Sequence, residues 1–294
     1  MTGGSGFIGR QVVRHFTERG DDVTVLDLVQ HRDPSVNCVV GDICDPEAVG
    51  RAMGDGTDAV VHLAALTSVL ESVKDPHGVF RTNVVGVETV LEQCRQRGVR
   101  SFVLSSTNAV VGNVGREVIN EKTDLHPLTP YGATKAAGEM IMSAYTAAYG
   151  IHCVALRFTN VYGIGMQTKD SVVARLMKVA MSGGSVPVYG SGEQARDYLF
   201  VLDAVGAIEL GLGLGRGEVL TIGAGESVSM IELHRTACEV TGVDIPIEHI
   251  PEKPGEMPAV IVETDKARAA GFELKYDLRE GLTATWDDFR ENPA

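Results

Sequence analysis

The chain has 294 residues, of which 44% are hydrophobic, and its 26 Lys and Arg against 39 Asp and Glu give a formal net charge of −13. That length and apolar content suit one large core or two modest ones and exclude a disordered chain, and the acidic balance speaks against nucleic-acid or anionic-membrane partners, which require clustered cations. The longest charge-free stretch, residues 140–156, is interrupted by Ser143, Thr146, Gly150 and His152 and is too short to span a bilayer; five scattered cysteines without C-x-x-C spacing and the lack of a secretory pattern fit a cytoplasmic location.

Short β-branched runs at 22–27, 38–42, 58–65, 100–106 and 152–157 predict strands, with helices at 9–19, 46–53, 76–97 and 131–149 between them. Apolar runs without two-residue alternation are strands covered on both faces, and regular β/α alternation implies a parallel sheet with right-handed crossovers. The expected fold class is therefore α/β, a doubly wound parallel sheet over residues 1–159. From 160 to 294 the rhythm loosens, with helical patterns at 171–181, 203–212, 229–241 and 278–289, which predicts a smaller ligand-binding lobe sharing a cleft with the first.

Gly3, Gly6 and Gly9 in Gly3-Gly4-Ser5-Gly6-Phe7-Ile8-Gly9 have the spacing of a dinucleotide-binding turn: a tight bend, room for a pyrophosphate, and close packing of the helix that follows. Asp27 ends the next strand, where a carboxylate accepts from both ribose hydroxyls and repels a 2′-phosphate, which favours NAD over NADP. Only Met1 and Thr2 precede Gly3, so the strand that should lead into the loop is cut short; the expectation is that the true start lies several residues upstream or that the strand was not included.

Tyr131-Gly132-Ala133-Thr134-Lys135 sets a phenol and an ammonium at i and i+4 on one helix face. Bringing a Tyr from about 10 to about 7 takes roughly 4 kcal/mol, which Lys135 and a nicotinamide cation together can supply, making Tyr131 a general base. Alone the spacing is commonplace. Its weight comes from the glycine loop, Asp27, and Ser105-Ser106-Thr107 at the carboxyl end of a parallel strand, where such sheets bind ligands.

With these motifs the chain resembles the extended short-chain dehydrogenase/reductase superfamily, and within it nucleotide-sugar epimerases of the UDP-glucose 4-epimerase type. The resemblance runs the length of the chain, through Thr2–Gly9, Gly41-Asp42-Ile43, His62-Leu63-Ala64-Ala65, Thr82-Asn83-Val84, Ser105-Ser106-Thr107, Tyr131 with Lys135, Leu156-Arg157-Phe158-Thr159-Asn160-Val161-Tyr162-Gly163 and Gln194-Ala195-Arg196-Asp197-Tyr198. It implies an NAD site made of Gly3, Gly6, Phe7, Ile8, Gly9, Asp27, Asp42, Ile43, Leu63, Ala64, Ala65, Thr67, Asn83, Ser105, Tyr131, Lys135 and Phe158, with Thr107, Tyr131 and Lys135 as the reacting triad. It also implies that Thr107 and Tyr131 meet the sugar, and that Asn160, Arg196, Lys253 and Glu256 hold the nucleoside diphosphate. The family usually has Arg where this chain has Lys253, which turns a bidentate clamp into a point charge. Part of 197–225 is expected to return to the first sheet.

The reaction implied is oxidation at C4 of a UDP-sugar to a 4-keto intermediate, followed by return of the hydride to the opposite face. Sugar 4,6-dehydratases similar to this family carry acidic side chains directly after the Thr, whereas Asn108 and Ala109 follow Thr107 here. That favours a UDP-hexose 4-epimerase over the alternatives, a nucleotide-sugar 4,6-dehydratase or ketosugar reductase and, from a different class, a non-catalytic NAD sensor. No histidine pair has metal-ligand spacing, so no metal is expected, and His62 reads as a hydrogen-bonded core residue. Val260 is expected in a sugar-pocket wall, and Thr168 and Lys169 are expected near a substrate carboxylate, which keeps UDP-glucuronate beside UDP-glucose. Apolar residues on more than one face of helices 76–97 and 131–149, together with the resemblance, imply a homodimer.

Overall fold

The computed structural model describes residues 1–252 and 257–293. In chain order its elements are α1 (Phe7–Glu18), β1 (Thr24–Asp27), β2 (Asn37–Val40), α2 (Pro46–Met53), β3 (Ala59–His62), α3 (Val69–Lys74), α4 (Pro76–Phe80), α5 (Gly86–Arg97), β4 (Ser101–Thr107), β5 (Val118–Ile119), α6 (Pro130–Tyr149), β6 (His152–Phe158), β7 (Asn160–Tyr162) and α7 (Val172–Ser182). Then come β8 (Val186–Tyr189), β9 (Ala195–Phe200), α8 (Val201–Gly213), β10 (Glu218–Ile222), β11 (Ser227–Ser229), α9 (Met230–Thr241), β12 (Ile247–Ile250), β13 (Ile261–Val262), α10 (Asp265–Ala269) and α11 (Leu278–Glu291).

The main sheet is parallel. β2 pairs with β1, and β3, β4, β6 and β10 follow one another on the other side. Between β1 and β3 lies Thr2, which bridges Leu26 on one side and His62 on the other. The Thr2 N–H donates to the Val61 carbonyl at 3.0 Å and the Leu26 N–H to the Met1 carbonyl at 2.8 Å. A cavity of about 530 Å³ opens beside Met1 between the early parts of β1 and β3. With Met1–Thr2 taken as a sheet position, strand order reverses between it and β3, and the carboxyl ends of the strands on either side of that reversal form the crevice in which doubly wound sheets hold ligands.

Both faces of the sheet are covered, as the unalternating strand sequences require. Val49 of α2, Leu91 and Cys94 of α5 and Met142 of α6 pack on one face, with Leu26, Phe102 and Leu104 of the strands. Val12 and Phe16 of α1 and Ala204, Val205 and Ile208 of α8 pack on the other. A second apolar cluster belongs to the C-terminal elements: Met166, Leu176, Met177, Leu233, Leu282 and Phe289 gather around β8, β9 and Tyr162. There β7 runs parallel and β11 antiparallel to β9, and β12 pairs with β8. The chain recrosses between these regions, since β10 adds to the main sheet beside β6 and α8 lies on that sheet's face.

Two expectations about elements change. The helix read over 76–97 is interrupted by a π-helical turn at Arg81–Val85, centred on Asn83. The run read as a strand over 58–65 ends at His62: the Leu63 N–H still makes a ladder bond to the Thr2 carbonyl at 3.1 Å, but the Ala64 N–H turns to the Thr2 side chain, Oγ1 at 3.3 Å. Helix α3 was not foreseen. Ser68 caps it by accepting from the Glu71 N–H, but Val69, Leu70 and Val73 face outward, so it has no apolar stripe aimed at this chain's own core. No helix among the described residues is long and apolar enough to cross a membrane.

Candidate active site

The glycine loop is shaped by what surrounds it. Gly3 has φ +71°, and a Cβ there would lie 2.6 Å from the Ala64 nitrogen; a Cβ on Gly9 would lie 2.1 Å from the Gly3 carbonyl oxygen. Only glycine lets the loop fold over β3 and lets α1 start directly against it. Gly6 is the N-cap of α1 and offers no side-chain cap, so the first-turn amides of Phe7, Ile8 and Gly9 and the positive end of the helix face the crevice. That is the donor set a pyrophosphate takes up. Asp27, at the end of β1, accepts from the Ser5 N–H at 3.0 Å and the Val29 N–H at 3.3 Å, which aims its carboxylate at the rim of the loop where an adenosine ribose would lie. A cavity of about 360 Å³ continues from this rim past Arg10, Arg32, Thr168 and Lys169.

The other residues expected at the cofactor follow the strand ends. Leu63, Ala64 and Ala65 are half-buried just after β3, and Thr67 is exposed beyond them. Ser105 is half-buried near the carboxyl end of β4. Asp42 follows β2, accepting from the Cys44 N–H at 2.9 Å and meeting Arg81 at 3.5 Å. Ile43 and Phe158 are core residues, Ile43 packed under Gly86 and Phe158 within the α1–α8 cluster. The Asn83 side chain, brought round by the π turn, accepts from the Leu66 N–H at 2.8 Å and donates to the Leu66 carbonyl and Thr134 Oγ1. It ties the 63–67 loop to α6.

The pair expected to react, Tyr131 and Lys135, sits on α6. Thr129 caps the helix, accepting from the Gly132 N–H, and Pro130 occupies its first position, which starts α6 one residue before Tyr131. Gly132 is required there, since a Cβ would come within 2.4 Å of the Ala109 carbonyl oxygen behind Thr107. Tyr131 is 9% exposed and Lys135 3%. Burial pushes the Tyr131 phenol above its usual range, and a hydrogen bond with the Thr107 side chain works in the opposite direction. Lys135 Nζ donates to the Ser105 carbonyl at 2.6 Å, and burial pulls its pKa down to about 8 against the opposing charge of Glu139. Phenol, hydroxyl and ammonium thus converge at the end of β4. His62 is a core residue as expected: Nδ1 lies 3.0 Å from Thr2 Oγ1, the ring stacks on Phe102, and burial lowers its pKa to about 3.

A third cavity, about 320 Å³, lies on the C-terminal side, and Asn160, Arg175, Tyr189, Gln194, Arg196 and Tyr198 line it. Strand alternation explains its wall. Along β9, Arg196 and Tyr198 face the cavity, while Asp197 points the other way and is fully buried, accepting from the Ala224 and Gly225 N–H groups. Asn160 Nδ2 donates to the Asp197 carbonyl at 2.9 Å, and Arg196 donates to the carbonyls of Ala195 and Met257, both at 2.8 Å. Lys253 and Glu256 lie outside the described residues. Thr168 and Lys169 do not line this cavity but sit against the glycine loop, Lys169 Nζ 6.0 Å from the Phe7 ring. Val260 is buried in an apolar cluster with Val110, Val111 and Ile119.

Arg175, Tyr189 and Gln194 were not singled out from the sequence. Arg175 falls in an ordinary amphipathic helix beside Asp170, which it binds, so its residue type gave no signal; Gln194 stands in a quoted motif but was given no role there.

The family model described as the NAD dependent epimerase/dehydratase family matches residues 1–223. The chain is 34% identical to a dTDP-glucose 4,6-dehydratase of Streptomyces niveus, covering 100% of this chain and 93% of that protein. Its structure is similar to that of a UDP-glucose 4-epimerase with UDP-glucose from Thermotoga maritima, with a TM-score of 0.94, 33% identity and coverage of 99% and 97% of the two chains. It is also similar to MoeE5 in complex with UDP-glucuronic acid and NAD, with a TM-score of 0.92, 31% identity and coverage of 99% and 98%. The glycine loop, Asp27 and the Tyr131–Lys135 pair fit that cofactor, and the chain belongs to the NAD-dependent epimerase/dehydratase family of nucleotide-sugar enzymes.

Proposed function

We propose that the protein is a UDP-hexose 4-epimerase, acting on the UDP-glucose/UDP-galactose or the UDP-glucuronate/UDP-galacturonate pair. The observation that carries this reading is the crevice in which Thr107, Tyr131 and Lys135 meet with Asn108 and Ala109, not carboxylates, next in the chain. Tyr131 takes the proton of the C4 hydroxyl, with Thr107 orienting it and Lys135 stabilising the phenolate. NAD, when bound, supplies the acceptor for the C4 hydride and a positive ring charge. Elimination across C5 and C6 needs an acid and a base at the position of Asn108 and Ala109, which neither side chain provides. The 4-keto sugar, held through its diphosphate by Arg196 and Asn160 in the 320 Å³ cavity, turns over in the cleft; Tyr131 gives its proton back to the C4 oxygen as C4 regains the hydride on its opposite face, which restores the alcohol with C4 inverted.

Residues 1–159 serve the cofactor and residues 160–294 mainly the sugar nucleotide, with Lys253 and Glu256 completing the diphosphate clamp. The working form is a cytoplasmic homodimer. In support, Val69, Leu70 and Val73 of α3, Phe80 of α4 and Met140 of α6 are all exposed, although α3 and α4 pack on α6. To test the reading, the purified protein is incubated separately with UDP-glucose, UDP-glucuronate, UDP-N-acetylglucosamine and dTDP-glucose, and the products are resolved. Formation of the 4-epimer from UDP-glucose or UDP-glucuronate supports it; epimerisation of UDP-N-acetylglucosamine or dTDP-glucose alone would contradict the substrate assignment, and a 4-keto-6-deoxy sugar as the stable product selects the dehydratase alternative.

A further inference from the structure

One turn beyond Lys135 and two beyond Tyr131 on the same stripe of α6, Glu139 is buried with its carboxylate fully engaged. It accepts from Ser106 Oγ at 2.5 Å and from Arg157 through Nε at 3.0 and 3.2 Å and Nη2 at 2.7 Å. Ser106 and Arg157 face each other across the β4–β6 ladder, so one carboxylate fastens α6 to two adjacent central strands. Both members of the ion pair are only 5% exposed at the side chain. Ser106 directly follows Ser105, whose carbonyl receives Lys135 Nζ, and directly precedes Thr107. The clamp therefore lies under all three members of the reacting triad. A buried ion pair of this kind is poor evidence for stability but fixes geometry well, because each partner is costly to leave alone.

We propose that Glu139, held by Arg157 and Ser106, is a positioning residue: it sets the rotation of α6 that presents Tyr131 and Lys135 to Thr107, and it is the counter-charge that keeps the Lys135 ammonium protonated. The first part follows from the i, i+4, i+8 stripe, since a helix pinned at Glu139 has Lys135 and Tyr131 aimed by the same rotation. The second follows from the surroundings of Lys135. Tyr131 and Glu139 share its helix, neutral His62 faces it from β3, and Arg157 stands on β6 behind Glu139; Glu88 and Glu92 of α5 accept from the Tyr145 hydroxyl, further along α6. Glu139 is thus the anion acting on Lys135, and burial pulls the other way.

This rests on Tyr131 and Lys135 being the reacting pair, so the test includes a readout that needs no turnover. Lys135 is followed by NMR titration of the side chain in 13C-lysine-labelled protein, assigned with Lys135→Met. Wild type is expected to titrate near 8. Glu139→Gln, which leaves Arg157 charged and unpaired, is expected to titrate at least one unit lower. Glu139→Gln with Arg157→Gln is expected to fall between the two, and Glu139→Asp to stay nearest wild type. In turnover, Glu139→Gln is expected to lower kcat by about 100-fold, the cost of a small misplacement, with KM within twofold and the basic limb of the kcat profile moved to lower pH. Glu139→Asp is expected to recover part of that loss, and serves as the folded variant if Glu139→Gln does not fold. An unchanged Lys135 titration in every Glu139 variant that folds would overturn the proposal, as would an unchanged kcat. If wild type converts no sugar nucleotide, the proposed function fails while the titration still decides this proposal.

Discussion

In the proposed function Tyr131 does the central work, and its surroundings pose an electrostatic problem: burial alone holds the phenol protonated, so ionisation has to come from the adjoining hydroxyl and nearby positive charge. Tyr131→Phe keeps the ring volume and removes only the hydroxyl. It is expected to retain NAD, seen by absorbance and by titration calorimetry, and to lose about 10²- to 10⁴-fold in kcat, with normal melting behaviour. Unchanged turnover would take Tyr131 out of its role. At this scale the geometry was most readable where a backbone constraint fixed the spacing, as at Gly3 and Gly9, and where helical period set two side chains one turn apart, as with Tyr131 and Lys135 on α6. It was less readable where a motif residue serves packing. Asn83 spends its amide on Leu66 and Thr134, and Ile43 and Phe158 are buried in the core, because motif spacing marks a position without saying which way the side chain turns.

Among the elements, α1 and its loop form one unit, as the 2.1 Å approach of a Gly9 Cβ to the Gly3 carbonyl requires. Gly9→Ala is expected to destabilise the fold by about 1–3 kcal/mol through overpacking and to weaken NAD binding at least tenfold, measured by thermal melting and calorimetry. A neutral effect on both would mean that the loop relaxes freely and does not shape the pyrophosphate site. Long apolar strands and capped helices were legible because their period and termini are written locally: α2 was read with both of its ends, and α6 within one residue. The π turn at Asn83 was not, since one extra residue per turn leaves the apolar pattern on either side intact. Helix α3 escaped for a different reason, its apolar side chains facing away from the chain's own core.

For the whole molecule, the main sheet brings the glycine loop and the Thr107, Tyr131 and Lys135 group to the carboxyl ends of its strands, and α1 is tied to the C-terminal elements. Arg10 donates to the Gly165 carbonyl at 2.8 Å, Gln11 to the Ile164 carbonyl at 3.1 Å, and Asp288 of α11 accepts from the Gly165 N–H at 2.7 Å. The exposed patch on α3, α4 and α6 is the surface that the proposed homodimer uses. Leu70→Glu with Val73→Glu is expected to shift a dimer to monomer in light scattering without loss of secondary structure; an unchanged mass would place the dimer contact elsewhere. The surplus of apolar residues on the helices read at 76–97 and 131–149 pointed to this surface from the sequence, but the share of α3 in it did not, because Val69, Leu70 and Val73 join the patch only once α3 is packed on α6. The most direct test of the account follows the hydride itself. Deuterium is placed at C4 of UDP-glucose and of UDP-glucuronate, and the products are read by NMR and mass spectrometry. The account predicts inversion at C4 with the label still on C4 in the galacto product and none lost to solvent. Deuterium found at C6 of a dehydrated sugar, or no inversion with either substrate, would contradict it.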